Sequence, residues 1–220
     1  MIRNMPKTAI CISGQIRCLD MCIEQIRVNL LPHIPQYDIF VHTALDGDTH
    51  KAYLLDPKRL LAEKDIEMDE HRWQSYRGLR NIKGLLLQVW SLKQAYDLVQ
   101  GDYGAVLRLR TDTRPLQPLD DMDFDNQSVF IPKADNYFGY NDRFAFGPTH
   151  LMAHYMTRFD RLNEFAIANN NMLHAETFLK WALDTRQVPV KRISMKLATV
   201  RQNGDTDRSQ STKEYGDILT

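Results

Sequence analysis

Cysteine is scarce in this 220-residue chain: Cys11, Cys18 and Cys22 are the only three, all in the first tenth of the sequence. Their spacing fits neither a paired zinc knuckle nor a disulfide framework, so a reduced, cytoplasmic setting is the default expectation. Net charge is lacking as well, since 28 Lys and Arg balance 28 Asp and Glu. No global field draws the chain to nucleic acid or to an anionic membrane, and any charged site must be local. The apolar run Thr8–Ser13 is too short to span a membrane, and nothing resembling a signal peptide precedes it. Peripheral contact with a membrane stays open. Internal repeats and low-complexity linkers are also missing. What is present is 43% hydrophobic and 10% aromatic residues, enough for a full core. One domain is expected over residues 1–200, followed by a polar tail, 201–220, expected to be mobile.

Thr8-Ala-Ile-Cys-Ile-Ser13 is almost continuously apolar and ends in Gly14, the pattern of a strand buried on both faces of a parallel sheet. The loop Ser13-Gly-Gln-Ile-Arg17 leads into an expected helix over 20–31, with Asp20 as cap and Pro32 as stop. A single glycine, with no Gly-Lys-Ser/Thr after it, matches neither a dinucleotide fingerprint nor a Walker A loop. Arg17 would have to supply charge to any phosphate there. Tyr37-Asp-Ile-Phe-Val-His-Thr43 reads as a second strand with Phe40 and His42 on one face. Residues 44–83 are polar and mixed. Pro57 is expected to open a short helix to about residue 64, and 66–68 to form a brief strand. Residues 84–99 carry a helical period in Leu85, Val89, Leu92, Tyr96 and Val99. The fold class is therefore α/β, a mostly parallel central sheet flanked by helices.

Tyr103-Gly-Ala-Val-Leu-Arg-Leu-Arg-Thr-Asp-Thr-Arg-Pro115 follows at once, and its alternation sets Leu107 and Leu109 against Arg108, Arg110 and Asp112. Charges on a strand face between helices are costly unless they meet partners or ligands. In open α/β sheets ligands bind beyond the carboxyl ends of strands. Ser13, His42 and Asp112 all fall at such ends, so Asp112 is read as facing a bound phosphate, directly or through a metal ion. The same spacing fits an Arg/Asp network that only fixes the fold. A histidine beside a strand is more often a hydrogen-bonded structural residue than a catalyst.

Beyond Pro115, the acidic run 116–126 fails as a calcium loop, lacking glycine and glutamate at the required offsets, and reads as solvated. Val129–Pro132 is a short strand, 136–140 an aromatic loop containing Gly139, and Asn141-Asp-Arg-Phe-Ala-Phe-Gly147 a further strand. His150 and His154 stand four apart on a helix without the glutamate of a zinc protease motif. A helix over 174–184 carries Glu176 in its first turn, where the helix dipole alone explains a carboxylate. Residues 188–193 and 196–200 look like closing strands.

The blocks Ile10-Cys-Ile-Ser-Gly-Gln-Ile-Arg17, Tyr37-Asp-Ile-Phe-Val-His-Thr43, Gln88-Val-Trp-Ser-Leu92, Val106-Leu-Arg-Leu-Arg-Thr-Asp112, Asn141-Asp-Arg-Phe-Ala-Phe-Gly147 and His174-Ala-Glu-Thr-Phe-Leu179 occur in a distinctive order. That succession, over roughly residues 7–185, resembles a group of bacterial and viral glycosyltransferases of surface polysaccharide synthesis. The resemblance implies a GT-A-like fold, a nucleotide-sugar donor, and a glycan or lipid-linked acceptor. It places Ser13, Gly14, Gln15, Arg17 and His42 in the nucleotide pocket and Asp112 at the position of a metal-binding aspartate, with manganese or magnesium as the implied ion. The chain departs from the Asp-x-Asp pattern of such enzymes: Thr111-Asp-Thr-Arg114 has one carboxylate followed by an arginine. Arg108, Arg110 or Arg114 could neutralise a leaving diphosphate instead. For an inverting reaction Glu176 and Asp142 are the candidate bases, Glu176 ahead, with His174 assisting.

Two other classes compete. A binding module would hold a nucleotide or sugar without turning it over, which the missing second aspartate favours. A structural or assembly protein would use Tyr137, Phe138 and Tyr140 against a partner. Acceptor contacts are expected from the loops 44–83 and 133–140.

Overall fold

In the computed structural model, which describes residues 2–75, 81–119 and 122–208, the run Thr8–Ser13 becomes strand β2, buried at every position. It sits at the heart of a seven-stranded sheet because no side chain on either face has to meet water. A two-residue β1, Ile2–Arg3, precedes it, and α1, Leu19–Asn29, follows. Then come β3 (Tyr37–Ala44), β4 (Arg59–Glu63), β5 (Gln74–Ser75), α2 (Ile82–Asp97) and β6 (Ala105–Arg110). The second half adds β7 (Thr113–Pro115), β8 (Met122–Asp123), β9 (Val129–Pro132), β10 (Phe144–Pro148), α3 (Thr149–Met156), α4 (Leu162–Ala168) and β11 (Met172–Leu173). It closes with α5 (Ala175–Asp184), β12 (Val190–Ile193), β13 (Leu197–Val200) and β14 (Thr206–Arg208).

The sheet order is β12-β9-β10-β6-β2-β3-β4. Strands β6, β2, β3 and β4 pair in parallel, and β10 alone runs against its neighbours. The expected α/β architecture is what the chain adopts. Ile10, Ile12, Leu107 and Leu109 face α1, whose Ile23, Ile26 and following Leu30 complete one apolar layer. Ala9, Cys11, Phe40 and Val106 face the other way, onto Leu92 and Ala95 of α2, Tyr155 of α3 and Leu179 of α5. No helix among the described residues is long and apolar enough to cross a membrane.

Several local expectations are corrected. Residues 59–63 form β4 rather than a helix: Lys58 N–H donates to the Ile39 carbonyl, and the segment takes the open edge of β3. Edge pairing overrides a weak local preference there. Residues 66–68 form no strand. Asp20 lies inside the first turn of α1, whose N-cap is Cys18. Helix α4, after a 3-10 turn over Arg158–Arg161, had no counterpart in the sequence reading. Part of the acidic run is structured, because β8 pairs with β1 and Asp125 pairs with Lys191. Of the segment 201–220, residues 206–208 pair with β13 as β14, and 209–220 lie outside the described residues. So do 76–80 of the predicted loop before α2.

Candidate active site at the strand ends

Register brings three predicted residues side by side. Ser13 at the end of β2 stands opposite His42 of β3 and Arg110 of β6. By the alternation of strands all three share the face covered by α2. Gly14 then turns the chain at φ +120°, a conformation side chains disfavour, and Thr111 Oγ1 ties the loop down by donating to the Gln15 carbonyl at 2.7 Å. Gln15 and Arg17 are exposed on this loop.

His42 is fully buried and engaged at both ring nitrogens. Nδ1 is 2.7 Å from Ser91 Oγ, Nε2 is 3.0 Å from Glu63 Oε1, and Trp90 packs edge-on at 4.9 Å. Burial holds its pKa below the ordinary value, against the pull of Glu63. Its geometry is that of a positioning residue joining β3, β4 and α2.

Arg110 is the hub. Its Nε and Nη2 donate to the two oxygens of Asp112 at 2.9 and 2.6 Å, and its Nη1 lies 3.8 Å from Asp142 Oδ1. Burial opposes the charge, but Asp112 and Asp142 outweigh it and raise the guanidinium pKa. Asp142 is 2% exposed, and its other oxygen accepts from Gln88 Nε2 of α2 at 2.5 Å. Despite burial, Arg110, Arg108, Arg158 and Arg143 together hold Asp142 below the ordinary carboxylate range. Deeper on the same face, Arg108 is fully buried, and burial draws its pKa down to about 10. Its Nη1 reaches the Arg143 carbonyl at 3.4 Å, while its Nε and Nη2 find no hydrogen-bond partner among the described residues.

Glu176 enters from the first turn of α5, with His174 Nε2 3.4 Å from its Oε2. Burial, reinforced by the negative charge of Asp142, pushes the Glu176 pKa up to about 8. Burial lowers His174, with Asp142 opposing. Two carboxyls thus lie in one electrostatic group with their proton affinities driven apart, a pattern that separates acid and base roles. Above them runs the loop 133–140. Gly139 is pressed so tightly on α5 that a Cβ there would fall 1.9 Å from the Glu176 carbonyl, and Tyr140 N–H donates to that oxygen at 3.1 Å.

The structure therefore gathers Ser13, His42, Arg108, Arg110, Asp112, Asp142, His174 and Glu176 at one end of the sheet. Arg114 turns to α1 instead, donating to the Met21 carbonyl at 2.9 Å. Sequence reasoning missed Gln88, Ser91 and Arg158. Gln88 and Ser91 stood in the ordered block Gln88-Val-Trp-Ser-Leu92, three apart, a spacing that sets two polar side chains on one helix face, but no site role was read from them. Buried Arg158, stacked on Tyr155 at 4.7 Å, gave no signal.

A divalent ion needs several oxygen ligands. Both Asp112 oxygens are taken by Arg110, and among the described residues no three His, Cys, Asp or Glu side chains group to hold a metal. The donor set does not fit such an ion. Exposed His150 and His154 join no such group either.

These features define an α/β chain with a cluster of charged, largely buried side chains at the carboxyl ends of its parallel strands. A family model described as a domain of unknown function (DUF7796) matches residues 3–205, and the chain belongs to that family. A search of curated proteins finds no match. Among solved structures, the apo-form glycosyltransferase GlyE of Streptococcus pneumoniae TIGR4 is similar at a TM-score of 0.49 and 12% identity. The match covers 86% of this chain and 45% of that one. A second structure of the glycosyltransferase GlyE from the same organism gives 0.47 and 10%, with the same coverage. Likeness at that level establishes neither a shared fold nor a shared activity, and the chain spans less than half the length of either structure.

Proposed function

We propose that the chain is a glycosyltransferase that moves a sugar from a nucleotide-diphospho-sugar to a hydroxyl of a glycan or lipid-linked acceptor, with arginine holding the departing diphosphate. The observation that carries this reading is Arg110: a guanidinium fork at the end of a central parallel strand, flanked by the carboxyl groups of Asp112, Asp142 and Glu176. The ordered sequence blocks support it independently.

In the reaction the bond from the anomeric carbon to the diphosphate oxygen breaks, and the acceptor oxygen bonds to that carbon through an oxocarbenium-like transition state. Diphosphate oxygens replace the Asp112 oxygens on the Arg110 fork, whose planar geometry suits phosphate as well as carboxylate. Arg108 adds positive potential from beneath. The acceptor proton passes to Glu176, because a carboxyl with a pKa of about 8 is a better match to that task than Asp142, held below its ordinary range. Asp142 tunes Glu176 and steadies Arg110, while His42, expected in the nucleotide pocket, is buried with both ring nitrogens engaged and only positions the strand ends. Glu176 works ionised, so turnover rises with pH through about 8.

The test is a thermal-shift panel of UDP, GDP, CDP, TDP and CMP, with and without manganese, followed by sugar transfer from the matching nucleotide-sugar. A nucleotide at one hundred times its Kd adds about 2.7 kcal/mol, a shift of several degrees. One nucleotide standing out irrespective of manganese supports the reading, and a flat panel sinks it. The closed Arg110–Asp112 pair also favours a binding-only module; nucleotide binding without transfer or donor hydrolysis would identify that.

A further inference from the structure

Arg108 and Arg110 share one face of β6, yet their guanidiniums end differently. Arg110 presents the edge formed by Nε and Nη2 to Asp112, which accepts from both. The same edge of Arg108 carries two N–H groups with no hydrogen-bond partner among the described residues, and only Nη1 is engaged, on the Arg143 carbonyl at 3.4 Å. The Nε–H and Nη2–H bonds of a guanidinium are parallel and address one acceptor together, which is why anions dock on that edge. Arg108 is wholly buried, with Cys11 of β2 and Ala145 of β10 beside it in register. Neither supplies a charge, since burial pushes the Cys11 thiol up. Buried donors without a protein partner point to a water or an ion.

A second guanidinium separates those two choices. Arg158 is 1% exposed, stacks on Tyr155 and donates from Nη1 to the Tyr155 carbonyl at 2.8 Å, and its Nε has no hydrogen-bond partner among the described residues. Arg108 and Arg158 act on the same Tyr155 hydroxyl and on the same Asp142. Elsewhere in the group Arg110 is matched by Asp112, and Arg143 by Asp135. Two buried guanidiniums therefore share one carboxylate, while Glu176 keeps its proton below about 8. Water would satisfy the N–H groups but leave the extra charge standing, and a buried charge without a counter-charge is strongly destabilising.

We infer that the Nε–Nη2 edge of Arg108 holds a small monovalent inorganic anion of the chloride class, with Arg158 supplying the second positive charge. Arg108 and Tyr155 have no solvent-exposed surface, so a nucleotide phosphate does not reach this edge, whereas a monatomic ion enters through local opening. The site asks nothing of a nucleotide or a sugar and stands apart from the transferase reading.

The test is thermal unfolding of the full chain in chloride, bromide or nitrate against gluconate, at constant ionic strength so that screening is the same throughout. The quantity read is the wild-type shift minus that of Arg108→Met, a difference that cancels the general effect of each salt. The expected result is a rise of a few degrees in chloride that levels off with concentration, as binding to the native state alone requires. Lys191→Met, which loses one charge at the surface, should follow the wild type. Wild-type crystals soaked in bromide give the direct reading even if Arg108→Met fails to fold: an anomalous peak within hydrogen-bond reach of Arg108 Nε and Nη2. A shift equal in wild type and Arg108→Met, or a water in place of bromide at that edge, overturns the site.

Discussion

The pH dependence of stability isolates Glu176. Its ordinary pKa of 4.5 is raised to about 8 by burial and by Asp142, so between those values the folded state holds a proton that the unfolded chain has released. The stabilising effect is complete below 4.5 and is lost as pH rises through about 8. While it is being lost, stability falls by about 1.4 kcal/mol per pH unit. Other groups bend the profile elsewhere. Asp112 and Asp142 are lowered from 3.8, so their effect is lost only as pH falls below that value. His42, His154 and His174 are lowered from 6.5, so their opposing contribution is only half complete at pH 6.5 and finishes about one unit higher. Glu176→Gln keeps the shape and removes the Glu176 titration while leaving the histidines, so the difference between wild type and variant isolates Glu176. From pH 6.5 to 8 wild-type stability should fall relative to the variant by about 1.6 kcal/mol. For a chain of this length that is a relative fall of roughly 3–6 °C in Tm. Urea unfolding of both proteins at pH 6.5, 7.0, 7.5 and 8.0 at constant ionic strength measures it. Parallel profiles would refute the assignment.

Arg110→Met leaves Asp112 and Asp142 without their main counter-charge and should cost about 3–5 kcal/mol in urea unfolding, with partial recovery on adding Asp112→Leu. Gly139→Ala drives a Cβ into the Glu176 carbonyl; calorimetry should show destabilisation, and hydrogen exchange at the Tyr140 amide should accelerate. Ser91→Ala strips a buried partner from His42 Nδ1 and should cost about 1–3 kcal/mol, with the His42 pKa shift changing in an NMR titration.

The central strands were legible because burial on both faces leaves almost no choice of residue: Thr8–Ser13 and Val106, Leu107 and Leu109 could be little else. Arg108, Arg110 and Asp112 stood out for the reverse reason, since charge on a buried strand face needs an explanation. Even the Arg110–Asp112 pair was implicit, the two lying two residues apart on one face. Strand β4 was hidden because Arg59-Leu-Leu-Ala-Glu63 at a sheet edge shows no clean alternation. The position of Gly139 was hidden because it depends on α5, a contact between segments distant in sequence. The opposed proton affinities of Asp142 and Glu176 needed that same convergence.

The Asp112 carbonyl accepts from Val200 N–H, and β7 pairs with β13, so the last described hairpin braces the turn beside the charged cluster. On the ribosome this fixes an order of events. Everything needed for β2, β3, β4 and β6 has been synthesised by residue 110, with Arg108 and Arg110 already in place. Asp142, Glu176 and Val200 follow later, on the order of five to twenty seconds for the whole interval at typical elongation rates. During that interval Arg110 already has Asp112 beside it, but neither Arg108 nor Arg110 yet has Asp142, so the deepest counter-charge of the cluster is the last to arrive.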